Sequence, residues 1–393
     1  MTVTQDNTVS AEVVETATRL IPLLREKTEE ARQLARPTDE VISALEDSGL
    51  LTILAPKSRG GRQLSLRTFA EVSEELGRAC GSTAWVYGIY ATTLYMLSAF
   101  PDEAQDEVYS SVPVPKMIGS FNPVGEAVPV AGGYRLTGTW RFCSGQHHAE
   151  WALLSSFIVR DGEPPEVVQF VVPRGECRGL DDWQVSGLSG SGSGSLATDG
   201  VFVPEHRVLP GGEAGSPVSL SKALANDPYF RIPFVPFFSA GSGGAPLGMA
   251  RTAVDLMKER IQKRGITYSP YKRQAEAPVT HHQMDAAVMK LDQARFHADR
   301  AVDTVEAVTE DPGNVALRVR IRADIAWTTK LCHEVVEIVR QASGASAIHR
   351  RDPLCGIVAD IGALSVHSFL LHSTNAELHG RVLCGLDPEV PYI

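Results

Sequence analysis

GYRLTGTWRFCSGQHHAEW, residues 133–151, is the stretch that decides the fold, because the hydrophobic pattern changes there from helical to alternating. It starts as a strand with Tyr134 and Leu136, continues through the aromatic residues Trp140 and Phe142, and breaks at Ser144 beside a glycine. A hydroxyl at a strand end, between aromatic side chains, would offer a flat ring ligand an apolar surface and one directed hydrogen bond. The other interpretation is a hairpin with a buried Trp140–Phe142 pair, which composition alone favours.

Helical patterns precede this stretch. Ser10 is expected to cap a helix that ends at Pro37, and Thr38 is expected to cap the next one. Two further helices are predicted over residues 66–77 and 83–100. The last of these is apolar on most sides, so it should be buried or line a cavity.

A β-domain and a helical bundle are predicted after it. Short β-rich runs alternate with glycine, proline and aspartate turns over residues 112–210. The helical period then returns in four long segments joined by short loops, which is typical of an antiparallel bundle. These segments are residues 248–263, 282–308, 315–342 and 360–383. The predicted fold class is therefore α+β, with an N-terminal helical domain (1–114), a central β-barrel-like domain (115–215) and a C-terminal four-helix bundle (216–393).

The composition argues against several classes of protein. A net charge of −10 leaves no overall basic surface for nonspecific nucleic-acid binding. The six cysteines contain no C-x-x-C pair, so reduced thiols in a cytoplasmic protein are expected. The first residues lack the pattern of a signal peptide. The uncharged run 232–250 carries three prolines, which predicts a buried connector and not a membrane span.

Neither a dinucleotide-binding site nor a metal site is predicted. Residues 187–195, GLSGSGSGS, contain a partial dinucleotide-binding fingerprint, but a strand-like VFVP follows in place of the required helix, so a turn is predicted. No metal site is expected, because neither H-E-x-x-H nor the paired E-x-x-H of di-iron bundles occurs.

A cluster of basic residues leaves two interpretations open. On an acidic protein it fits a phosphate-binding patch, and it fits equally a solvated helix end with cations near the negative end of the dipole. Arg264 is the first candidate for phosphate, since it lies where the helix should end. The cluster comprises Lys258, Arg260, Lys263, Arg264, Lys272 and Arg273.

Several motifs carry a resemblance to a known fold. The order of the domains, GTWRFCSG at 138–145, GLSGSGS at 187–193 followed by VFVPEHRV at 201–208, and HGRVLCGLDP at 379–388 resemble the acyl-CoA dehydrogenase fold. More closely, they resemble its branch of two-component flavin-dependent monooxygenases, typified by the oxygenase component of p-hydroxyphenylacetate hydroxylase. The resemblance implies a homotetramer that takes reduced flavin from a separate reductase and hydroxylates a small aromatic substrate with O2, through a C4a-hydroperoxyflavin. Reduced FAD is expected ahead of FMN, because the parent fold accommodates it.

The resemblance also implies residue roles. The flavin ring would lie against a strand at Phe142, Cys143 and Ser144, with the Ser144 hydroxyl near N5 of the ring. Trp85 matches an aromatic residue of the family's pocket, and Ser120 falls where a second pocket hydroxyl is expected.

The resemblance gives the C-terminal half two further candidates. His367, in SVHSFLLHS, matches a histidine that faces the substrate and would act as its base, with His372 as the nearby decoy. Arg264 is the expected cofactor contact of the basic cluster.

The chain also departs from the family pattern. Thr93 stands where these hydroxylases often have a histidine, and Gly356 and Ala359 replace both arginines of P-L-x-R-x-x-R-D. His379 stands where tyrosine is usual. These changes predict a larger or less polar aromatic substrate.

Three alternatives remain at this point. An acyl-CoA dehydrogenase would need a carboxylate base, for which Glu377 is the nearest candidate. An amino-sugar N-oxygenase would share the fold and the flavin. A bundle that serves only for assembly would bind no flavin.

Overall fold

The computed structural model describes residues 3–160, 162, 164–210, 219–390 and 393, with side chains from residue 8 onward. The N-terminal region is helical, as predicted. Thr38 Oγ1 accepts the Val41 N–H at 3.3 Å and so caps the second helix as expected. The prediction for Ser10 was wrong: the first helix begins at Val3, and Ser10 lies inside it. The helices are α1 (Val3–Gln33), α2 (Asp39–Asp47), α3 (Leu66–Gly77), α4 (Gly81–Leu97) and α5 (Asp102–Ser111).

Helix α4 runs through the interior. Nearly every side chain from Gly81 to Leu97 is buried, because α4 packs against α3 on one side and the sheet on the other. The prediction from its all-round apolar sequence is therefore confirmed.

The central region is a β-domain whose described strands form one sheet in the order β6-β7-β3-β2-β4-β5-β8, with β1 parallel to β4. Strands β3 and β7 are antiparallel and end with Trp140 opposite Leu196. This pairing places the loop after β3 beside the loop before β7. The strands are β1 (Met117–Ser120), β2 (Glu126–Val130), β3 (Gly133–Trp140), β4 (Trp151–Ile158), β5 (Glu166–Pro173), β6 (Arg178–Gly179), β7 (Leu196–Pro204) and β8 (Val208–Pro210).

The C-terminal region is a helical bundle, in which α8 and α9 form the longest antiparallel pair. Part of the run 232–250, predicted to be a connector, forms a short buried helix, α6. In the described part of the chain, no helix is both long and apolar enough to span a bilayer. The helices are α6 (Phe234–Gly241), α7 (Gly244–Lys263), α8 (Pro278–Glu310), α9 (Val315–Ser343), α10 (Pro353–Leu364) and α11 (His372–Leu383).

The predicted single helix over 360–383 was wrong. The chain leaves α10 at Ser365 and re-enters a helix only at His372, with Leu370 buried between them. Contacts distant in sequence hold this break: the Arg322 guanidinium lies 5.2 Å from the centre of the Phe369 ring. The break places His367 in a connecting segment and not on a helix.

The predicted α+β class and its order of helices, sheet and helices are confirmed. The first expected boundary, between residues 114 and 115, falls between α5 and β1. The second, between residues 215 and 216, lies outside the described residues.

Candidate active site

A cavity of about 960 Å³ lies where α4, α10, the loop after β3 and the segment between α10 and α11 meet. Its walls are mainly apolar, and the polar side chains among them come from four different elements. Trp85, Ser120, Phe142, Ser144 and His367 all line it. Five of the seven predicted site residues therefore line one cavity, and the structure brings them together from positions up to 282 residues apart in sequence.

Ser144 lies in the loop that follows β3. The Trp85 indole N–H donates to Ser144 Oγ at 3.1 Å, and Ser193 Oγ lies 2.7 Å from Ser144 Oγ on the other side. A hydrogen bond from α4 holds this loop in place, because the Tyr90 hydroxyl donates to the Gly145 carbonyl at 2.6 Å. Gly145 has a φ of 79°, and a Cβ there would overlap the Tyr90 ring, so the position requires glycine. The Ser144 hydroxyl is therefore held in one place at the cavity wall.

The expectation that Phe142, Cys143 and Ser144 form a strand was wrong. Strand β3 ends at Trp140, and Phe142 has a φ of 61°, in the left-handed region. Phe142 lines the cavity with a side chain that is 69% exposed, edge-on to Trp183 at 6.2 Å between ring centres. A loop, and not a strand, thus presents the aromatic side chain and the hydroxyl.

Cys143 points away from the cavity. Its side chain is fully buried, and its thiol donates to the Trp140 carbonyl at 3.4 Å. Burial raises the pKa of this thiol to about 12, so it stays protonated. The predicted contact between the Cys143 side chain and a cofactor is therefore not supported by the geometry.

His367 lies against Trp85, with ring centres 5.0 Å apart in an edge-to-face arrangement. Burial among aromatic side chains lowers the pKa of His367 to about 4, so the imidazole is neutral at neutral pH. The Phe369 N–H donates to Nδ1 at 3.3 Å, which places the single ring proton of the neutral form on Nε2. In this tautomer Nε2 is a hydrogen-bond donor. The expectation that His367 acts as a base does not fit this arrangement.

Ser120 is the second predicted hydroxyl, at the end of β1. It is buried and lines the cavity, and none of the described residues forms a hydrogen bond with its hydroxyl. It is thus available to a ligand. His372, the decoy, lies elsewhere, packed edge-on against Trp327 at 4.4 Å.

Arg264 does not line the cavity. Its guanidinium donates to Gln274 Oε1 at 3.1 Å, Ser346 Oγ at 2.8 Å and the Ala342 carbonyl at 3.1 Å. Burial, together with Arg260, lowers the pKa of Arg264. Within one chain these contacts tie the end of α7 to the end of α9, and the cofactor contact of Arg264 stays a prediction.

Among the described lining residues, Arg141 carries the one formal charge, and it was missed by the sequence analysis. It is exposed, and its guanidinium forms no hydrogen bond with any residue that the structure describes. Its position beside Phe142, inside GTWRFCSG, was the available signal. A cation at the mouth of an apolar cavity suits a ligand with an anionic tail.

The surroundings of Thr93 and Gly356 show what these two departures from the family pattern do in the structure. Thr93 is fully buried behind Gly119, hydrogen-bonds to backbone carbonyls and does not line the cavity. Gly356 makes room for the Arg32 guanidinium of α1, which a Cβ at this position would overlap. A cation from another helix therefore occupies the space beside Gly356.

Arg32 belongs to a chain of contacts that reaches the cavity wall. Its guanidinium lies 3.7 Å from Asp360 Oδ2, and Asp360 Oδ1 accepts the Leu188 N–H at 2.7 Å. Burial raises the pKa of Asp360, whereas Arg32 opposes that change. Leu188 lines the cavity with a φ of 52°, so Asp360 holds a strained turn in place. No local sequence pattern could have linked Arg32 to Asp360.

The residues present fit a reduced flavin. Trp85, Phe142 and Phe238 offer apolar surface to a flat ring, Ser144 offers a hydroxyl, and Arg141 offers a cation to a phosphate. No carboxylate occurs among the described residues that line the cavity, and Glu377 is exposed on α11. The base that an acyl-CoA dehydrogenase needs is therefore missing from this wall.

Comparisons with known proteins agree with this geometry. Residues 5–112 match the model of the acyl-CoA dehydrogenase N-terminal domain, and residues 240–371 match that of the C-terminal domain. The chain is 30% identical to a pigment production hydroxylase of Rhodococcus sp., over 97% of this chain and 98% of that protein. It is 30% identical to the flavin-dependent monooxygenase oxygenase subunit HsaA of Mycobacterium tuberculosis, over 89% of each. The structure of XiaF from Streptomyces sp., in complex with FADH2 and glycerol, superposes with a TM-score of 0.93 and 29% identity, over 99% of both chains.

These matches span nearly the whole chain, and they confirm the resemblance found in its motifs. They also favour aromatic hydroxylation with a separately supplied reduced flavin over the dehydrogenase alternative. The chain belongs to the flavin-dependent monooxygenases of the acyl-CoA dehydrogenase fold, as an oxygenase component of the two-component type.

Proposed function

We propose that this oxygenase binds reduced FAD in the cavity and hydroxylates there an aromatic substrate larger than a single phenol ring. The observation that carries the proposal is the pair of donors on one wall, the Ser144 hydroxyl and His367 Nε2, with Trp85 in contact with both. One donor can serve the flavin and the other the substrate.

Reduced flavin, when bound, supplies the two electrons that activate dioxygen. The chain's own residues hold the ring and exclude water. Ser144 donates toward the ring edge, Phe142 covers one face at the cavity mouth, and Arg141 pairs with the phosphate. Phe238 and Trp85 keep the interior apolar, which limits the wasteful release of hydrogen peroxide.

FAD is proposed ahead of FMN. The relative XiaF has been solved with FADH2, and it is similar to this chain over the full length of both. FMN remains the second candidate, because Arg141 is suited to either phosphate. Competition between the two flavins for the purified protein decides the preference.

The size of the cavity and the chemistry of His367 support the substrate class. The α10 side of the cavity carries Ala359, Gly362 and Ala363, whose small side chains leave room for fused or extended rings. His367 Nε2 would donate to an oxygen of the substrate and stabilise the negative charge that grows there as the ring is attacked. Ser120 offers a second hydroxyl to the same ligand.

The expected homotetramer also enters as part of the proposal. Met289 and Phe296 lie two turns apart on α8, with 51% and 60% of their side chains exposed. Exposed apolar side chains on one helix face favour contact with a second copy. Sedimentation of the purified protein with and without charged substitutions at these two positions tests this assembly.

The decisive experiment supplies the protein with NADH, a flavin reductase, FAD and candidate polycyclic phenols under ¹⁸O2. One labelled oxygen atom should appear in the hydroxylated product and the other in water. The proposal is supported if ¹⁸O appears in the product only when FAD is present and is lost when Gly362→Phe fills the cavity. Acyl-CoA-dependent reduction of bound FAD without oxygen would instead favour a dehydrogenase.

A further inference from the structure

Three serine hydroxyls form a continuous chain at the cavity wall. Ser144 Oγ lies 2.7 Å from Ser193 Oγ, which in turn lies 2.6 Å from Ser191 Oγ. All three side chains are nearly fully buried. Two of them come from the glycine-rich loop 187–195, which had no assigned role.

The glycines of that loop bring its hydroxyls inside. Gly192 has a φ of 59°, and a Cβ at Gly194 would lie 2.9 Å from both Gln146 Nε2 and the Leu180 carbonyl oxygen. Backbone bonds then fasten the loop to the chain after β3, since Cys143 N–H donates to the Gly194 carbonyl at 3.0 Å and Gly145 N–H to the Ser191 carbonyl at 2.9 Å. The hydroxyls face each other because the two loops are bonded together.

Each hydroxyl has one hydrogen to donate, whereas an indole nitrogen can only donate. Trp85 therefore occupies one acceptor position of Ser144. Hydrogen-bond donation among the three hydroxyls can then run from Ser191 through Ser193 to Ser144, or in the opposite direction.

The two directions differ at both ends. If Ser144 donates to Ser193 and Ser193 to Ser191, the buried Ser191 hydrogen has no acceptor among the residues that the structure describes. If Ser191 donates to Ser193 and Ser193 to Ser144, both hydroxyl hydrogens of the loop have an acceptor, and the Ser144 hydrogen is left free to point into the cavity. A buried donor without a partner is costly, so the second direction is favoured.

We propose that Ser193 is a positioning residue that fixes the Ser144 hydroxyl as a donor toward the flavin ring. It does so by donating to the remaining acceptor position of Ser144, with Ser191 donating to Ser193 behind it. The inference rests on the proposed role of Ser144. The ligand class is an acceptor atom at the edge of a flat ring, such as a ring carbonyl oxygen.

Ser193→Ala is the test, with Ser144→Ala as reference and Ser195→Ala as control. Ser195 lies in the same loop, but its hydroxyl donates to Asp182 at 2.6 Å, outside the chain. Without Ser193, the Ser144 hydrogen can rotate away from the ring. We expect hydrogen peroxide released per flavin oxidised to rise roughly 2- to 10-fold, which corresponds to one ordinary hydrogen bond.

A second readout does not depend on turnover. The absorption spectrum of oxidised FAD titrated into Ser193→Ala should shift in the same direction as with Ser144→Ala, while Ser195→Ala should match the wild type. Ser193→Thr keeps the hydroxyl and should restore both signals, which separates hydroxyl chemistry from loop damage. Thermal melting without flavin shows that each variant is folded.

The outcomes separate the two ideas. Altered spectrum and peroxide release in Ser144→Ala, with Ser193→Ala unchanged, would overturn the positioning role and leave the proposed function intact. Wild-type behaviour in both variants would remove the proposed role of Ser144 itself. If Ser193→Ala does not fold, an altered spectrum in Ser193→Thr would also count against the inference.

Discussion

The Trp85 indole nitrogen lies 3.1 Å from Ser144 Oγ and donates its hydrogen to it. The same indole ring is packed edge-on against His367, so one side chain of α4 positions both proposed donors. Helix α4 is buried along its length, so Trp85 itself is held in the interior. Trp85 thus connects Ser144, on the proposed flavin side of the cavity, with His367, on the proposed substrate side.

Trp85→Phe should weaken this link while keeping an aromatic wall. The loss of the N–H frees one acceptor position of Ser144, so its hydrogen gains alternative orientations. We expect a free energy of unfolding lower by about 1–3 kcal/mol and more hydrogen peroxide per flavin oxidised. Denaturant unfolding and a peroxide assay measure the two effects. Trp327→Phe makes the same change outside the cavity, and an equal rise in peroxide there would contradict this explanation.

Substitutions at His367 should distinguish a donor from a base. Glutamine can place an amide N–H near the position of Nε2 but cannot take up a proton at neutral pH. If His367 donates, His367→Gln should keep hydroxylation within roughly tenfold of the wild type, whereas His367→Ala should lose more, since one aimed donor contributes ~10²-fold or more. Product formation at saturating flavin measures this. Equal loss in both variants would favour the base.

The pH dependence of stability should also report His367. Its pKa in the folded protein, about 4, lies below the ordinary value of 6.5, so folding favours the neutral form. This contribution is fully present above pH 6.5 and is lost as the pH falls from 6.5 toward 4, at up to about 1.4 kcal/mol per pH unit. Denaturant unfolding at several pH values should show a smaller loss in His367→Gln than in the wild type. Parallel curves would show that His367 is not buried as described.

Gly356→Ala should displace the Arg32 guanidinium from its place over α10. Asp360 would then lose its cation while still buried, and the Leu188 turn that it holds would loosen. We expect a loss of roughly 1–3 kcal/mol in the free energy of unfolding, despite the better helix propensity of alanine. In an Arg32→Ala background the same substitution should be neutral or stabilising by up to about 1 kcal/mol. Additive losses in the double variant would contradict the contact.

Local sequence patterns predicted most of the helices and the strand-rich region, because periodicity and capping act over a few neighbouring residues, whereas the resemblance to the family supplied the five cavity residues. The break between α10 and α11 was missed, since no glycine or proline marks it and the Arg322–Phe369 contact that accompanies it is distant in sequence. Arg32 was missed for the same reason: its partner Asp360 lies on another helix. The tautomer of His367 depends on one backbone N–H, which no residue pattern reveals.

Arg141→Gln should separate phosphate recognition from ring recognition. The Arg141 guanidinium lies at the cavity without a hydrogen-bond partner among the described residues, so it can pair with a phosphate at little cost. Hydrogen bonds to charged groups contribute about 1.5–3 kcal/mol, so the affinity for FAD and FMN should fall by roughly 10- to 150-fold. Riboflavin, which lacks the phosphate, should bind both proteins alike, and added salt should reduce the difference. Arg135→Gln, on β3 outside the cavity, is the matched control. An equal loss of riboflavin affinity in Arg141→Gln would show that this residue acts on the ring or the loop and not on the phosphate.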